Sequence, residues 1–521
     1  MRRFFEFFVE SLPGLHARRY ALTALLLCVC CVCASVRPVA AQQCPDGTPP
    51  PCARPTTGAS PTSVAVLTFA VSGTDTSLAW IGDQLAEEIS SALGGVARLE
   101  VRTRTLVRRQ ERTLAGNLRA LGQTLTVRFL VEGTVQAVGG RLRVRSQLVR
   151  AQDGRIVWSR PFAGTSDSLL DVQVSIAAAV AGAIAGELLP EEAARIAARP
   201  TGNDAAYRHF LRGNRDLASR TEAGLAQAAA AYEAALRLDP RFSRALGRLA
   251  YTHAIALLND WALPGAPRDS VAPRGLALAA RSLREDTANT DALLARGYIR
   301  QLRDDLRGAR DDFRRAVAIG PRNPEAWHRL GGVLVLPEEQ SAAVAAYLRA
   351  IALAPDRAVT YSDLSWTLLQ QGRVEEATFW SDSLIAFAPE HRYAWRSRVN
   401  VRLMRRDARG ARAAFDRMAP EDRAAFWPVA ADLLTMEGDT AAARRLLAQV
   451  PDGLRGPAFA AMSRLLAGDR EGALDALGNS TPTWNRTPLG ITGAFYFGGR
   501  FDARGDPRYE RFKAAGEAAL R

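Results

Sequence analysis

The sequence predicts two folded modules in series: a small α+β domain, in which helices pack on a mixed sheet, followed by an all-α superhelical solenoid. Three observations predict this. Between Val64 and Leu189, apolar β-branched runs and period-2 runs are interleaved with stretches whose apolar residues recur at helical spacing. From Asp204 onward, the same small, aromatic and proline positions return every 34 residues. Finally, 521 residues, 48% hydrophobic and 23% charged, are too many for one ordinary domain and apolar enough for folded units.

The chain opens with Arg2, Arg3, Arg18 and Arg19 ahead of an apolar run from Tyr20 to Val36, then Val39-Ala40-Ala41 and Gln42. A basic start, an apolar core shorter than the ~20 residues of a spanning helix, and small residues before a cut predict an export signal over residues 1–41, cleaved near Ala41. The expected location is periplasmic or secreted. An uncleaved inner-membrane anchor is the alternative reading. Four of the six cysteines, Cys28, Cys30, Cys31 and Cys33, lie in the apolar core; the remaining pair, Cys44 and Cys52, reads as a local disulfide. A metal site there would need further ligands, which the neighbouring residues do not supply. Residues 42–63, rich in Pro, Thr, Gly and Ser, form a tether.

Residues 64–189 form the α+β domain. Val64 to Val71 is expected to be one buried strand and Leu78 to Leu93 an amphipathic helix. Leu99 to Val101 is a second strand, and Leu118 to Leu125 a second helix. Val127 to Val138, Arg141 to Ala151 and Arg155 to Phe162 alternate apolar and polar residues. Gly139-Gly140 and Asp153-Gly154 between them supply the positive φ of hairpin turns. Leu169 to Leu189 is a long helix rich in Ala, Val and Ile. The stretches Val64 to Phe69, Trp80 to Thr105 and Leu118 to Phe162, in this order, resemble the TolB N-terminal-like domain, itself related to FlgO and CsgG-type domains. That resemblance implies assembly or binding and no catalytic residues. Relatives often carry a DNA-binding or nucleotide-cyclase domain ahead of it; here the predicted export signal stands there instead.

Residues 190–203, punctuated by Pro190, Pro200 and Gly202, are a linker with a short polar helix. Residues 204–480 hold about seven or eight repeats. Trp327, Leu330, Gly331, Leu334, Ala343, Tyr347, Ala350 and Pro355 define the pattern. Its next copy is Tyr361, Leu364, Ser365, Leu368, Ala377, Ser381, Leu384 and Pro389, and Leu293, Gly297, Ala309, Phe313, Ala316 and Pro321 precede it. This set resembles the tetratricopeptide repeat, a hairpin of two helices. Small residues sit where the helices cross, and prolines stop the second helix. The second unit is lengthened by an insertion around Trp261 to Pro267. Residues 481–521 form a capping segment. The resemblance implies a groove lined by first-helix residues that do not point into the stack: Asp291, Tyr298, Gln301, His328, Trp366, Tyr393, Arg396 and Asn400, with Tyr298, Trp366 and Arg396 as the expected anchors.

The net charge is +14, and all but Lys513 of the 68 basic side chains are arginine. Many are interleaved with acids, as in Arg310-Asp311-Asp312-Phe313-Arg314-Arg315, so solvated helix surface is the expectation rather than a nucleic-acid groove. The five histidines, His16, His209, His253, His328 and His391, are scattered without ligand spacing, and no phosphate loop or nucleophile elbow occurs. The sequence thus predicts a non-enzymatic exported scaffold with no cofactor. Its expected partners are protein or peptide segments in the groove. Self-assembly through the α+β domain and at most peripheral membrane association are also expected. The rival reading is a membrane-anchored regulator that binds nucleic acid or a signalling enzyme.

Overall fold

A computed structural model describes residues 59–73, 80–114, 116–138, 141–165, 168–219, 221–259, 261–303, 305–334, 337–450, 457–478, 496–497, 501–502, 506–508 and 514. The export signal, the Cys44 and Cys52 pair, the tether up to residue 58 and the Gly139-Gly140 turn lie outside the described residues.

The α+β domain is built on β1 (Ser63–Val66), β2 (Ala70–Gly73), β3 (Glu100–Val101), β4 (Phe129–Val138), β5 (Arg141–Arg150) and β6 (Ile156–Thr165). They are ordered β3-β1-β4-β5-β6, with β2 continuing β1 alongside β4. β1, β2 and β3 run parallel to their neighbours, whereas β4, β5 and β6 are antiparallel. The sheet is therefore mixed, as expected. Helices α1 (Ile81–Gly94), α2 (Arg104–Thr113), α3 (Leu118–Leu125) and α4 (Leu169–Ala185) cover it.

β1 shows why its sequence is continuously apolar. Val64 and Val66 join Leu85 and Ile89 of α1 and Ile176 and Val180 of α4 in the main core. Ala65 and Leu67 point the other way, onto Val107 of α2 and Leu121 and Leu125 of α3. The single strand expected over Val64 to Val71 is interrupted. Val66 pairs with Val131 but Ala70 with Thr134, one residue out of step. Arg104, only 4% exposed, fills the break. Its guanidinium donates to the Val66 carbonyl, to Thr68 Oγ1 at 2.9 Å and to Asp83 at 2.9 Å. Helix α2 itself was not predicted. It carries Arg104, Arg108 and Arg109 where an apolar stripe would be, and ion pairs to Asp83 and Glu87 hold it. The long final helix stops at Ala185, four residues before the expected Leu189, because Gly186 turns away with φ +76°.

A short helix, α5 (Pro190–Ala197), leads into the repeats and is tied back by Glu192, which accepts from Arg98 at 2.6 Å. The first unit is α6 (Asp204–Ala218) and α7 (Glu222–Leu238), and the second is α8 (Ser243–Asn259) and α9 (Arg268–Glu285). Next come α10 (Thr290–Leu302) with α11 (Leu306–Ile319), and α12 (Pro324–Val333) with α13 (Gln340–Leu353). After these follow α14 (Ala358–Gln370) with α15 (Val374–Phe387), and α16 (Arg392–Met404) with α17 (Ala408–Phe415). First helices start at Thr290, Pro324, Ala358 and Arg392, and second helices at Leu306, Gln340, Val374 and Ala408. Both series step by 34 residues. The solenoid is of the tetratricopeptide type. Less regular units follow: α18 (Pro420–Ala425), α19 (Trp427–Met436) and α20 (Thr440–Ala448), then α21 (Pro457–Leu466) and α22 (Arg470–Gly478). In the closing segment Arg508 donates to Asp475 and Glu471 of α22, both at 2.8 Å.

The repeat positions have separate physical jobs. Where the two helices of a unit cross there is no room for a side chain: a Cβ on Gly297 would lie 2.6 Å from the Phe313 ring, and one on Gly213 would lie 2.5 Å from Tyr232. The first-helix aromatics Trp327, Tyr361 and Trp395 have a different role. They donate instead to the carbonyls of Pro321, Pro355 and Pro389 at 2.9, 2.8 and 2.8 Å. A proline that cannot donate thus accepts, and each inter-repeat turn is latched to the helix that follows it.

Two glycines separate these effects. Gly297→Ala is expected to destabilise the chain by about 1–3 kcal/mol through overpacking against Phe313. Gly182→Ala, in the interior of α4 with open space at its Cβ position, is expected to stabilise it by roughly 0.5–1 kcal/mol. Urea unfolding of the two variants checks both signs.

Candidate functional site on the concave face

The eight groove residues come from the first helices α10, α12, α14 and α16, and none is fully exposed. Tyr298 and His328 are buried, whereas Asp291, Gln301, Trp366, Tyr393, Arg396 and Asn400 are half-buried. A ladder of charged and polar side chains running from one first helix to the next explains this. Arg248 of α8 pairs with Asp291 of α10 at 3.2 Å. Arg329 of α12 lays its guanidinium 3.7 Å from the centre of the Tyr298 ring. It also donates to Glu325 at 2.7 Å, and Arg357, ahead of α14, completes the clamp on the same carboxylate. His328 Nδ1 lies 3.2 Å from Thr360 Oγ1, and its Nε2 lies 3.7 Å from Asp363. Arg396 of α16 stands over the rings of Tyr393 and Phe426, at 5.8 and 4.5 Å.

The ladder sets the electrostatics. Burial alone would raise the Glu325 carboxyl, but Arg329 and Arg357 outweigh it and hold the group far below the carboxylate range. His328 is driven well below its ordinary value, first by burial and then by Arg357 and Arg329, so it is a neutral imidazole at physiological pH. Asp363 is pushed up to about 6 by burial, against the pull of Arg396, Arg329 and Arg357. It sits in a recess, although 44% of its side chain still meets solvent.

Tyr298 and His328 are therefore spent on holding neighbouring repeats together. Gln301 of α10 and Trp366, Tyr393, Arg396 and Asn400, on adjacent helices α14 and α16, are the half-buried members of the predicted set outside the struts of Asp291, Tyr298 and His328. The rungs Arg248, Arg329, Arg357, Thr360 and Asp363 were missed. Arg329 and Asp363 carry a faint sequence signal, being polar residues on first helices one and three positions from His328 and Trp366; Arg248 and Arg357 carry none.

A second feature had no sequence signal. The α+β domain lies along the edge of the solenoid where each second helix turns into the next first helix. Arg244 of α8 donates to both Glu88 oxygens at 3.2 and 3.0 Å. Arg322, ahead of α12, donates to the Leu99 carbonyl, and Arg109 of α2 reaches the Phe387 carbonyl at 2.5 Å, far along the repeats. At the near end Tyr207 of α6 donates to Gln173 of α4 at 2.5 Å.

Residues 60–179 match the family model described as the second domain of HilA/YgeH-like transcriptional regulators. A Rhizobium meliloti (strain 1021) protein carrying the name "Putative adenylate cyclase 3" is 24% identical over 239 residues, which is 45% of this chain. The match spans 39% of that relative's length. Similar solved structures include a tetratricopeptide protein from Parabacteroides merdae ATCC 43184 (13% identity, TM-score 0.38, 51% of this chain and 98% of that one). Pseudomonas aeruginosa PilF is another (14%, 0.33, 41% and 89%). A third is YrrB, a tetratricopeptide protein described as having an unusual peptide-binding site (18%, 0.29, 42% and 97%). These overlaps are partial, and the repeat type rests on the 34-residue stepping of the helices.

The raised Asp363 pKa has a definite sign. Between about pH 4 and pH 6 the folded chain holds a proton that the unfolded chain has released, so this residue's contribution to stability falls as pH rises through that window. Asp363→Asn removes the dependence. Its stability relative to wild type should increase from about pH 4 to about pH 7, read from urea midpoints at both ends.

Proposed function

We propose that this chain is a scaffold whose concave face holds a segment of another protein, and that it works in the cell envelope after export. The observation that carries the reading is the recess on α14 and α16. There Trp366, Tyr393, Arg396 and Asn400 stay half-buried, next to the closed struts of α10 and α12. An aromatic and an arginine beside a recessed carboxylate suit an extended or helical segment with an apolar anchor and a polar flank. The reading involves no catalytic step and no cofactor. The export signal over residues 1–41 supplies the location, and the Cys44 and Cys52 pair fits an oxidising compartment. The α+β domain would serve as the second contact, to an envelope component or to another copy of the chain. The match of residues 60–179 to a domain of transcriptional regulators favours a second reading. In that reading the domain couples what the solenoid binds to a regulatory output from a membrane-anchored chain.

Crosslinking and mass spectrometry of the native complex tests the first reading. Crosslinks from a bound partner should fall on residues 358–404. Trp366→Ala with Arg396→Ala should weaken that partner by at least about 30-fold, as expected for hot-spot truncation, while the chain stays folded at the assay temperature, checked by circular dichroism. Equal recovery by wild type and variant would sink the groove's role. A mature N-terminus near Gln42 supports export, and an intact Met1 end favours the regulator.

A further inference from the structure

We infer that the open face of the α+β sheet is a docking surface for the anionic headgroups of a lipid bilayer. Charge segregation is the starting observation. Residues 101–160 contain thirteen arginines and only three carboxylates, Glu111, Glu132 and Asp153. This local net charge of +10 accounts for most of the chain's +14. Along the concave ladder the arginines are neutralised by neighbours. Within residues 101–160, Arg102, Arg104, Arg108 and Arg150 are likewise paired with carboxylates, but Arg141, Arg143 and Arg145 are in no ion pair with a described residue.

The fold places three of these arginines together. On β5, Leu142, Val144 and Leu148 face the main core, so Arg141, Arg143 and Arg145 stand on the opposite face, all exposed. That face is covered over β1 and at the Ala151 end of β5, by Val107 of α2 and by Leu121, Gly122 and Leu125 of α3. Arg141, Arg143 and Arg145 lie outside that cover and are exposed. The cross-strand neighbours of the arginines include Thr134 and Gln136 on β4 and Pro161 and Ala163 on β6, all neutral and exposed; the acid on this face of β4 is Glu132, half-buried, paired with Gln147 and diagonal to Arg145. No ion pair joins the three arginines to any described residue. They therefore present full positive charge at intervals of about 6.6–6.8 Å along one strand.

The shape of the face selects the polyanion. Three arginines spaced along one face of a single strand can meet a planar headgroup layer together. It offers no exposed aromatic on which bases could stack, because Trp158 and Phe162 pack toward the core. At the rim, the irregularity opposite Leu148 and Val149 leaves Ile156 and Val157 51% and 39% exposed beside Arg155. A basic plane with an apolar edge fits the boundary between headgroups and acyl chains. Pro161 within β6 disfavours the other use of this edge, pairing with a further strand.

The test compares the full chain on vesicles of phosphatidylcholine alone and of equal parts phosphatidylcholine and phosphatidylglycerol. The N-terminal apolar run contributes to both, so the readout is the preference for the anionic vesicles. The wild type should prefer them, less so at high salt. Arg141→Gln, Arg143→Gln and Arg145→Gln together should lower that preference on the order of a hundredfold, while the triple Arg→Lys variant keeps it. An unchanged preference in the glutamine variant, or none in the wild type, overturns the proposal. So does an outcome in which the same arginines are needed to shift duplex or single-stranded DNA but not to bind vesicles. The concave-face variants should leave the preference intact, so this inference and the scaffold reading fail separately.

Discussion

Stacking of one helical hairpin on the next is the constraint on which this molecule depends. No single hairpin buries its apolar face, so each unit is stable only against its neighbours. The first unit has no preceding repeat. The α+β domain takes that place: Ala206, Tyr207 and Phe210 of α6 share one continuous core with Ile176, Ala177 and Val180 of α4. That core runs without a break from Val64 to Ala343, and beyond it the apolar contacts divide into smaller clusters. The sheet domain is thus the solenoid's N-terminal cap as well as a module in its own right.

The same constraint explains why much of the concave face is not free for a partner. Apolar contact holds the two helices of a unit, but the angle between units is fixed by side chains that reach across the inner face. Glu325 between Arg329 and Arg357, and His328 between Thr360 and Asp363, are such struts. Breaking one partner of a buried charge pair costs more than the pair contributes. The ladder therefore rigidifies curvature, and it leaves the region where it thins, around Trp366 and Arg396, as the accessible recess.

How much of this the sequence revealed depends on whether the signal was periodic. The 34-residue register, the two-faced burial of β1 and the alternation of β5 all arise from helix or strand geometry, and all were legible. Helix α2 was not, because ion pairs from Arg104 and Arg108 do for it what an apolar stripe does elsewhere. The break between Val66 and Ala70 was hidden for a related reason: a strand bulge leaves the apolar run unbroken. Among the groove residues, periodicity assigned Tyr298 and His328 to the inner face of their helices, and both side chains are buried there. It could not say that Arg329 and Asp363 would cover them, since those contacts join residues about 30 apart through a tertiary angle. The long reach of Arg109 to Phe387 lies further still from any local pattern.

Charge distribution adds a final constraint. An average of +14 over 521 residues suggests a diffuse basic surface. The fold instead separates two uses of arginine. Along the concave face of the solenoid, guanidinium groups are structural: Arg248, Arg329, Arg357 and Arg396 are paired with carboxylates or stacked on rings, and their charge is spent locally. On the outer face of β5 the strand geometry forces Arg141, Arg143 and Arg145 to one side, with no ion pair to a described acid. Burying the alternate residues fixes the core, so those three positions are under no packing demand that would select arginine. Desolvating three like charges so close together would be costly, which keeps the face open to water until a counter-charge arrives. A single sequence thus uses one residue type as mortar in the repeats and as an unneutralised field on the cap.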